Sequence, residues 1–250
     1  MTTTRPPGPP MDPTRKAALA AGLFYLGTFA FSIPALGLYD GVVNDPDFVL
    51  GAGDAQSVLW GGLLEILTAL TCIGSAAALY RVLRRHGPGR AVGFVAARTL
   101  EAAMIVTGVL AVLSVYSLRH DAAGADATVL TTTAGALVAV KDLSFLLGPG
   151  VMPAINALCF ATIMYQTRLV PRWIPTFGLL GAPVLLASST ASLFGAWEQV
   201  SSMAVLMALP IALWELSVGA HMTVKGFRTP EVTRPDVAIG PVAPAAPALV

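Results

Sequence analysis

The sequence predicts an all-α polytopic membrane protein, a six-transmembrane-helix bundle with both termini on the cytoplasmic side. Three observations lead there. Hydrophobic residues make up 55% of the 250-residue chain and charged residues only 12%, too little charge for a solvated surface. The apolar residues come in blocks of about 20 or more, the length an α-helix needs to cross roughly 30 Å of hydrocarbon. Lysine and arginine gather on one side of a six-span path, as cytoplasmic loops require.

Residues 1–14 (MTTTRPPGPPMDPT) and 229–250 (TPEVTRPDVAIGPVAPAAPALV) are rich in Pro without helical periodicity and are expected to be disordered tails. Between them, a transmembrane domain over 15–228 is expected to have spans at 17–39, 58–80, 92–118, 143–165, 174–197 and 202–224. The first span follows Arg15 and Lys16, as a signal peptide would. Its apolar stretch is longer than a signal core and no small-x-small cleavage site follows, so it reads as a retained helix. Residues 119–142 (RHDAAGADATVLTTTAGALVAVKD) are too polar to span and too apolar for a plain loop; a short helix at or outside the outer interface is expected. Blocks this long, without strand-like alternation, exclude a β-barrel.

Small residues mark where helices approach in lipid, and Gly178 with Ala182 form such a pair on the fifth span. Gly148, Pro149, Gly150 and Pro153 should bend or break the fourth, either as a packed kink or as a ligand-lining break.

Orientation follows from the basic residues. Arg5, Arg15, Lys16, Arg81, Arg84, Arg85, Arg90, Arg168, Arg172, Lys225, Arg228 and Arg234 all fall on one face of the six-span path. The opposite loops hold Asp40, Asp45, Asp47, Asp54, Asp121, Asp126 and Glu198, with Arg119 as the basic exception and Lys141 beside Asp142. These short clusters form no continuous stripe, and the net charge of +1 gives no reason to expect a nucleic-acid partner.

A charge near the bilayer centre costs about 2.5–3.5 kcal/mol on insertion scales, so each one needs a partner or a purpose. Arg98 and Glu101, three apart on one helix, are placed to pair. At a rise of about 1.5 Å per residue, Glu101 lies about 14 Å deep, Glu215 about 15 Å and Glu65 about 10 Å from the opposite face, so a common interior is within reach. Glu65, Thr68, Cys72 and Ser75 make a polar or small stripe on the second span; Asn156 and the carbonyls freed by Pro210 add to it. Glu65, Arg98, Glu101, Asn156 and Glu215 are therefore the candidates for solute binding or proton relay. Three carboxylates against one guanidinium leave at least one Glu expected to be protonated near neutral pH. The same residues also suit a purely structural network that holds helices together.

Other chemistry finds little support. His86 and His120 belong to opposite sides, His221 lies near the inner end of the last span, and Cys72 and Cys159 lack further ligands, so neither a metal site nor a disulfide is expected. Pro34-Ala35-Leu36, Tyr39-Asp40 and Gly51-Ala52-Gly53-Asp54 echo intramembrane aspartyl protease elements in the wrong order, around a hydrophilic loop. No cofactor motif is present.

Five blocks carry a resemblance: ALYRVLRRHG (78–87), GFVAARTLEAAM (93–104), LLGPGVMPAINAL (146–158), RLVPRWIPTFGLLGAP (168–183) and WELSVGAHMTVKGF (214–227). In these the chain resembles the bacterial membrane proteins grouped as domain of unknown function 4386, with Arg81 where that family often has Pro. The most specific elements are Arg98-x-x-Glu101, Pro171-Arg172, and Trp214-Glu215 followed by Lys225-Gly226-Phe227. The resemblance implies a multispanning fold and brings no activity, cofactor or substrate.

The expectation is thus a bacterial inner-membrane protein whose polar centre binds or moves a small solute or proton, in contact with the lipid bilayer. The rival is an accessory or regulatory protein whose basic loops, including Arg81 to Arg90, engage anionic lipid or a partner; a membrane enzyme acting on lipid is the third reading.

Overall fold

A computed structural model describes residues 11–121 and 124–228. The expected C-terminal tail, 229–250, lies outside these residues, and so does the N-terminal one except at 11–14. Asp12 accepts a hydrogen bond from Thr14 N and caps a helix that begins at Pro13, so the first helix starts inside the expected tail.

Among the described residues the chain is all helical, with no strand. Helix α1 spans Pro13–Leu38, a short α2 Asp40–Asn44, and a 3-10 turn Pro46–Leu50 follows. Then come α3 (Ala55–Leu83), α4 (Pro88–His120), α5 (Ala127–Leu147), α6 (Met152–Thr167), α7 (Trp173–Leu193) and α8 (Ser202–Val224). Six stretches are long and apolar enough to cross a membrane, with α5 and α6 forming one of them. Their outer faces carry large exposed apolar side chains such as Ile33, Leu70, Leu110 and Leu180. So continuous an apolar belt suits lipid, and water would penalise it.

The path brings both described ends of the chain together. Arg15, in the first turn of α1, donates to Met222 O at 2.9 Å and Thr223 O at 2.7 Å, supplying the carbonyls that the end of α8 leaves without intrahelical partners. Arg228 N donates to Leu169 O at 2.8 Å, drawing the α6–α7 connection to the same end. Arg85 and His86 of the α3–α4 connection border one cavity there with Arg15 and Arg228. Of the basic residues grouped by loop arithmetic, Arg5 and Arg234 lie outside the described residues, and Arg15, Arg85 and Arg228 share one end of the bundle.

At the other end Arg119 is accounted for by backbone chemistry. Its guanidinium lies over the Phe48 ring at 4.6 Å and donates to Phe48 O (3.0 Å), Gly51 O (2.9 Å), Gly53 O (3.1 Å) and Ala52 O. The loop after the 3-10 turn is thereby held on α4, and the basic exception on this face is spent on carbonyls.

The segment 119–142 departs from expectation. A helix does form, but it runs on through residue 143, the expected start of the fourth span, to Leu147; the interruption falls at Gly148–Val151, where Gly148, Pro149 and Gly150 are expected to break the span. Two causes act together. Helix α4, at 33 residues, is about 50 Å long and outreaches a hydrocarbon core of roughly 30 Å. Its far end builds a second small core in which Leu130 and Ala134 of α5 pack with Val112, Val115, Phe48 and Tyr39. Thr131, Thr132 and Thr133 return their hydroxyls to the carbonyls of Ala127, Thr128 and Val129, so a threonine run remains helical. Gly148, Pro149 and Gly150 then break the helix as their residue types require, and Ser189 of α7 donates to the freed Gly150 O at 2.6 Å.

The main core lies between α1, α3, α4, α6, α7 and α8, where Tyr25, Phe94 and Trp214 each meet the Phe160 ring. Gly178 faces the Trp214 ring and Ala161, with Ala182 buried on the same face of α7; Pro210 packs on Gly181. Helices α1 and α8 cross at Gly22, where an added Cβ would sit 2.6 Å from Thr223 N and 2.7 Å from Gly219 O. Because both obstacles are backbone, no rotamer change relieves them. Gly22→Val should lower stability by about 1–3 kcal/mol or more, read as thermal unfolding in detergent, whereas Gly37→Ala, with open space around it, should be neutral. Arg119→Ala should cost about 2 kcal/mol in the same assay, the scale of charge-assisted hydrogen bonds lost together.

Candidate functional site

Four of the five expected site residues form one directly bonded group. Helix α4 carries Arg98 and Glu101 one turn apart, and Nη1 of Arg98 meets Oε2 of Glu101 at 3.1 Å. The other arm of the guanidinium, Nη2, reaches Oε1 of Glu215 on α8 at 3.0 Å. Asn156 of α6 donates from Nδ2 to Oε2 of Glu101 at 2.7 Å. One planar cation thus ties α4 to α8, a task suited to the forked donors of arginine, and Glu101 carries the link on to α6. Below it the Tyr25 ring of α1 lies 4.4 Å from the guanidinium carbon, adding a cation–π contact from a fourth helix. Arg98 is only 1% exposed, and Glu101 and Asn156 are buried with it.

Glu65, the fifth candidate, does not join Arg98. Its Oε1 pairs with Nζ of Lys141 on α5 at 3.5 Å. The reading of Lys141 as an outer-loop residue beside Asp142 is corrected here: Lys141 is 6% exposed and points into the bundle, while Asp142 points out. Successive helical side chains diverge by about 100°, so adjacency in sequence places these two on different faces. The Lys141 ammonium also sits 5.0 Å from the Phe145 ring and 5.5 Å from the Tyr39 ring. Its stem crosses α4 at Gly108, where a Cβ would come within 2.9 Å of Lys141 Cδ. Glycine at 108 is what lets the lysine through.

The two groups meet at one cavity of about 180 Å³. Glu65, Arg98, Glu101 and Glu215 border it, with Thr28 and Ser32 of α1, Thr68 and Cys72 of α3, and Pro149 and Pro153 at the break. The stripe of Glu65, Thr68, Cys72 and Ser75 faces inward along its whole length, and Cys72 Sγ lies 3.7 Å from Arg98 Nη1. Space for one water centre takes about 10–15 Å³, so this chamber has room for several small polar molecules. Several buried polar atoms around the site have no protein partner: Glu65 Oε2, Tyr39 OH, Tyr25 OH, Arg98 Nε and Asn156 Oδ1. Such atoms are costly unless something polar reaches them.

Lys141, Tyr25 and Tyr39 were not among the sequence candidates. For Lys141 the available signal was a lone lysine between ALVAV and LSFLL, an apolar setting obscured by the neighbouring aspartate. Tyr39 gave none, since an aromatic at a span end is common in any membrane helix, and Tyr25, at mid-span, reads as one more aromatic in the apolar run GLFYLGTFAF. The revised arithmetic matters. Three carboxylates now face two cations, Arg98 and Lys141, leaving one formal negative charge where the sequence counted two.

The family model described as Domain of unknown function (DUF4386) matches residues 20–226. The chain belongs to that family. No curated protein and no solved structure matches it. In this DUF4386 protein the matched region runs from α1 to the end of α8 and includes every residue of the polar centre.

Removing one partner of a buried pair leaves an uncompensated charge, at about 3–5 kcal/mol. Lys141→Met should therefore destabilise the protein by that order, and adding Glu65→Met should restore most of the loss. A double-mutant cycle by thermal unfolding in detergent reads the coupling; simple additivity of the two changes would show that the pair does not interact.

Proposed function

We propose that this membrane protein binds, and moves, a proton or a small monocation at its polar centre. The observation that carries the reading is charge arithmetic around a cavity: three carboxylates and two cations border or adjoin a chamber of about 180 Å³. One negative charge is left over. In a low-dielectric interior an unbalanced ion costs several kcal/mol, and one proton or one bound monocation removes that cost. The two occupants are therefore exchangeable. A structural network alone has no need of the remaining carboxylate or of the space beside it.

The basic end of the bundle is read as cytoplasmic and the membrane as a bacterial inner membrane, on the bias of Arg and Lys toward that end. A membrane-impermeant thiol reagent applied to intact cells should label a cysteine placed at Gln199 and spare one placed at Arg85, in a background lacking Cys72 and Cys159. The opposite pattern would invert the assignment.

The rival reading, an accessory protein acting through its basic end, draws on the cavity of about 390 Å³ that Arg15, Arg85, His86 and Arg228 border there. Neutralising Arg84 and Arg85 should abolish an accessory role and leave a carrier intact.

Methylammonium added to purified protein in weak buffer should release about one proton per chain, followed with a pH dye. Glu→Gln at position 65, 101 or 215 leaves two carboxylates against two cations, so each change should reduce the release at least tenfold while the protein stays folded. If release is absent from the parent protein, or survives all three replacements, the polar centre does not carry this function.

A further inference from the structure

The polar chamber has a neighbour. A second cavity, about 190 Å³, lies between the end of α1, the α5–α6 break, α7 and the start of α8, and it shares Leu36, Phe145 and Pro149 with the chamber. Apart from Gln199 at the α7–α8 connection and three serine hydroxyls, one of which (Ser189) is already committed to Gly150 O, its wall is apolar. The rim consists of exposed apolar residues: Leu36 at 41%, Val205 at 54% and Val200 at 70%. Helices α1 and α8 touch at Gly22 and Gly219, and toward the other end Leu36 and Ala204 stand on the walls of the crevice between them. The crevice thus opens beside the α7–α8 connection, its walls carry exposed apolar side chains of α1 and α8, and it adjoins the chamber across Leu36, Phe145 and Pro149.

A hydrated inorganic ion gains nothing from an apolar crevice of this kind, whereas a molecule with an apolar chain and a charged head matches both halves. The head must be cationic, because the chamber is short of one positive charge. It must also donate hydrogen bonds. Glu65 borders the chamber, and its Oε2, itself closed to solvent, makes no hydrogen bond within the protein; a carboxylate oxygen only accepts, and a primary ammonium offers three donors. Tyr39 OH, which faces the Glu65 carboxyl with no hydrogen-bond partner within 3.5 Å, belongs to the same Lys141–Glu65 group.

We propose that the ligand of this site is an amphiphilic primary amine in its ammonium form, its head at Glu65 and its chain lying past Phe145 and Pro149 in the crevice. This rests on the reading of the chamber as a monocation site. The ammonium brings one positive charge in and one proton leaves a carboxyl for water, so the charge of the chamber is unchanged and no other bond is made or broken.

The test uses the full chain in nanodiscs, with protein-free nanodiscs as the partition control, and labelled octylammonium as the probe. Saturable binding is expected, at least tenfold weaker in Glu65→Gln and at least tenfold weaker for octyltrimethylammonium, which has no N–H. Octanol and octyl sulfate should not compete. Ala204→Trp, which fills the crevice, should weaken octylammonium at least tenfold and leave the end point of methylammonium-driven proton release unchanged. Should that variant fail to fold, Ser192→Trp on the α7 wall gives the same reading. Octylammonium binding that is not saturable, or that ignores both tryptophans, overturns the amphiphile while methylammonium release keeps the monocation site. Loss of both responses in the parent protein overturns both.

Discussion

A guanidinium that sees almost no solvent is the constraint on which the middle of this bundle depends. Arg98 cannot shed its proton at any ordinary pH, so its charge has to be met by the protein itself. Glu101 comes from the same helix, Glu215 from α8, the Tyr25 face from α1, and Asn156 steadies Glu101 from α6. Four helices are thereby fixed in register and rotation relative to one another. Apolar packing in lipid has little power to do that, because a leucine loses nothing by facing a lipid chain instead of another leucine. The specificity of the arrangement comes from its few ions and from the glycines that allow close approach.

Those glycines and ions act together. At Gly22 the backbones of α1 and α8 come close enough that Arg15 reaches the final carbonyls of α8, closing the bundle at the basic end. At Gly108 the absent side chain is the passage through which Lys141 crosses α4 toward Glu65. Position 108 also serves the contact of α4 with α5, since an added Cβ would lie 2.7 Å from Ser144 Oγ. The same logic governs Arg119, whose four carbonyl contacts turn a charge that opposes the loop bias into a clamp on a glycine-rich loop.

What the residue order reveals depends on distance along the chain. Apolar block length sets the number of spans, and the i,i+3 spacing of Arg98 and Glu101 makes their pairing readable, since both follow from helix geometry alone. The depth of Glu215 is readable too, because it needs only a count from the end of its span. The Lys141–Glu65 pair joins residues 76 positions apart, through a glycine on a third helix, and no local rule contains it. Helix α5 illustrates the same limit. Its polar threonines argue against a span, yet their hydroxyls turn back onto their own helix and its apolar face meets a core built by the overlong α4, a tertiary effect that local polarity does not register. The break at Gly148–Val151 is legible from its glycines and proline, whereas the helix leading into it starts at Ala127 and not at residue 143, because α5 is supported from outside.

That break is also the reason a chamber exists. Had α5 run straight into α6, a regular helix would present side chains at every turn along the inner wall, and its carbonyls would be occupied internally. Instead the chain pauses for four residues, Ser189 satisfies Gly150 O from α7, and Pro149 and Pro153, which have no N–H to satisfy, take the positions nearest the cavity. Prolines here cost nothing in hydrogen bonds that the break has not already removed. They leave a rigid wall of small apolar surface beside three carboxylates, and Phe145 one turn earlier divides that wall between the polar chamber and the apolar crevice. The boundary between the two environments is therefore set by the same few residues that interrupt the helix.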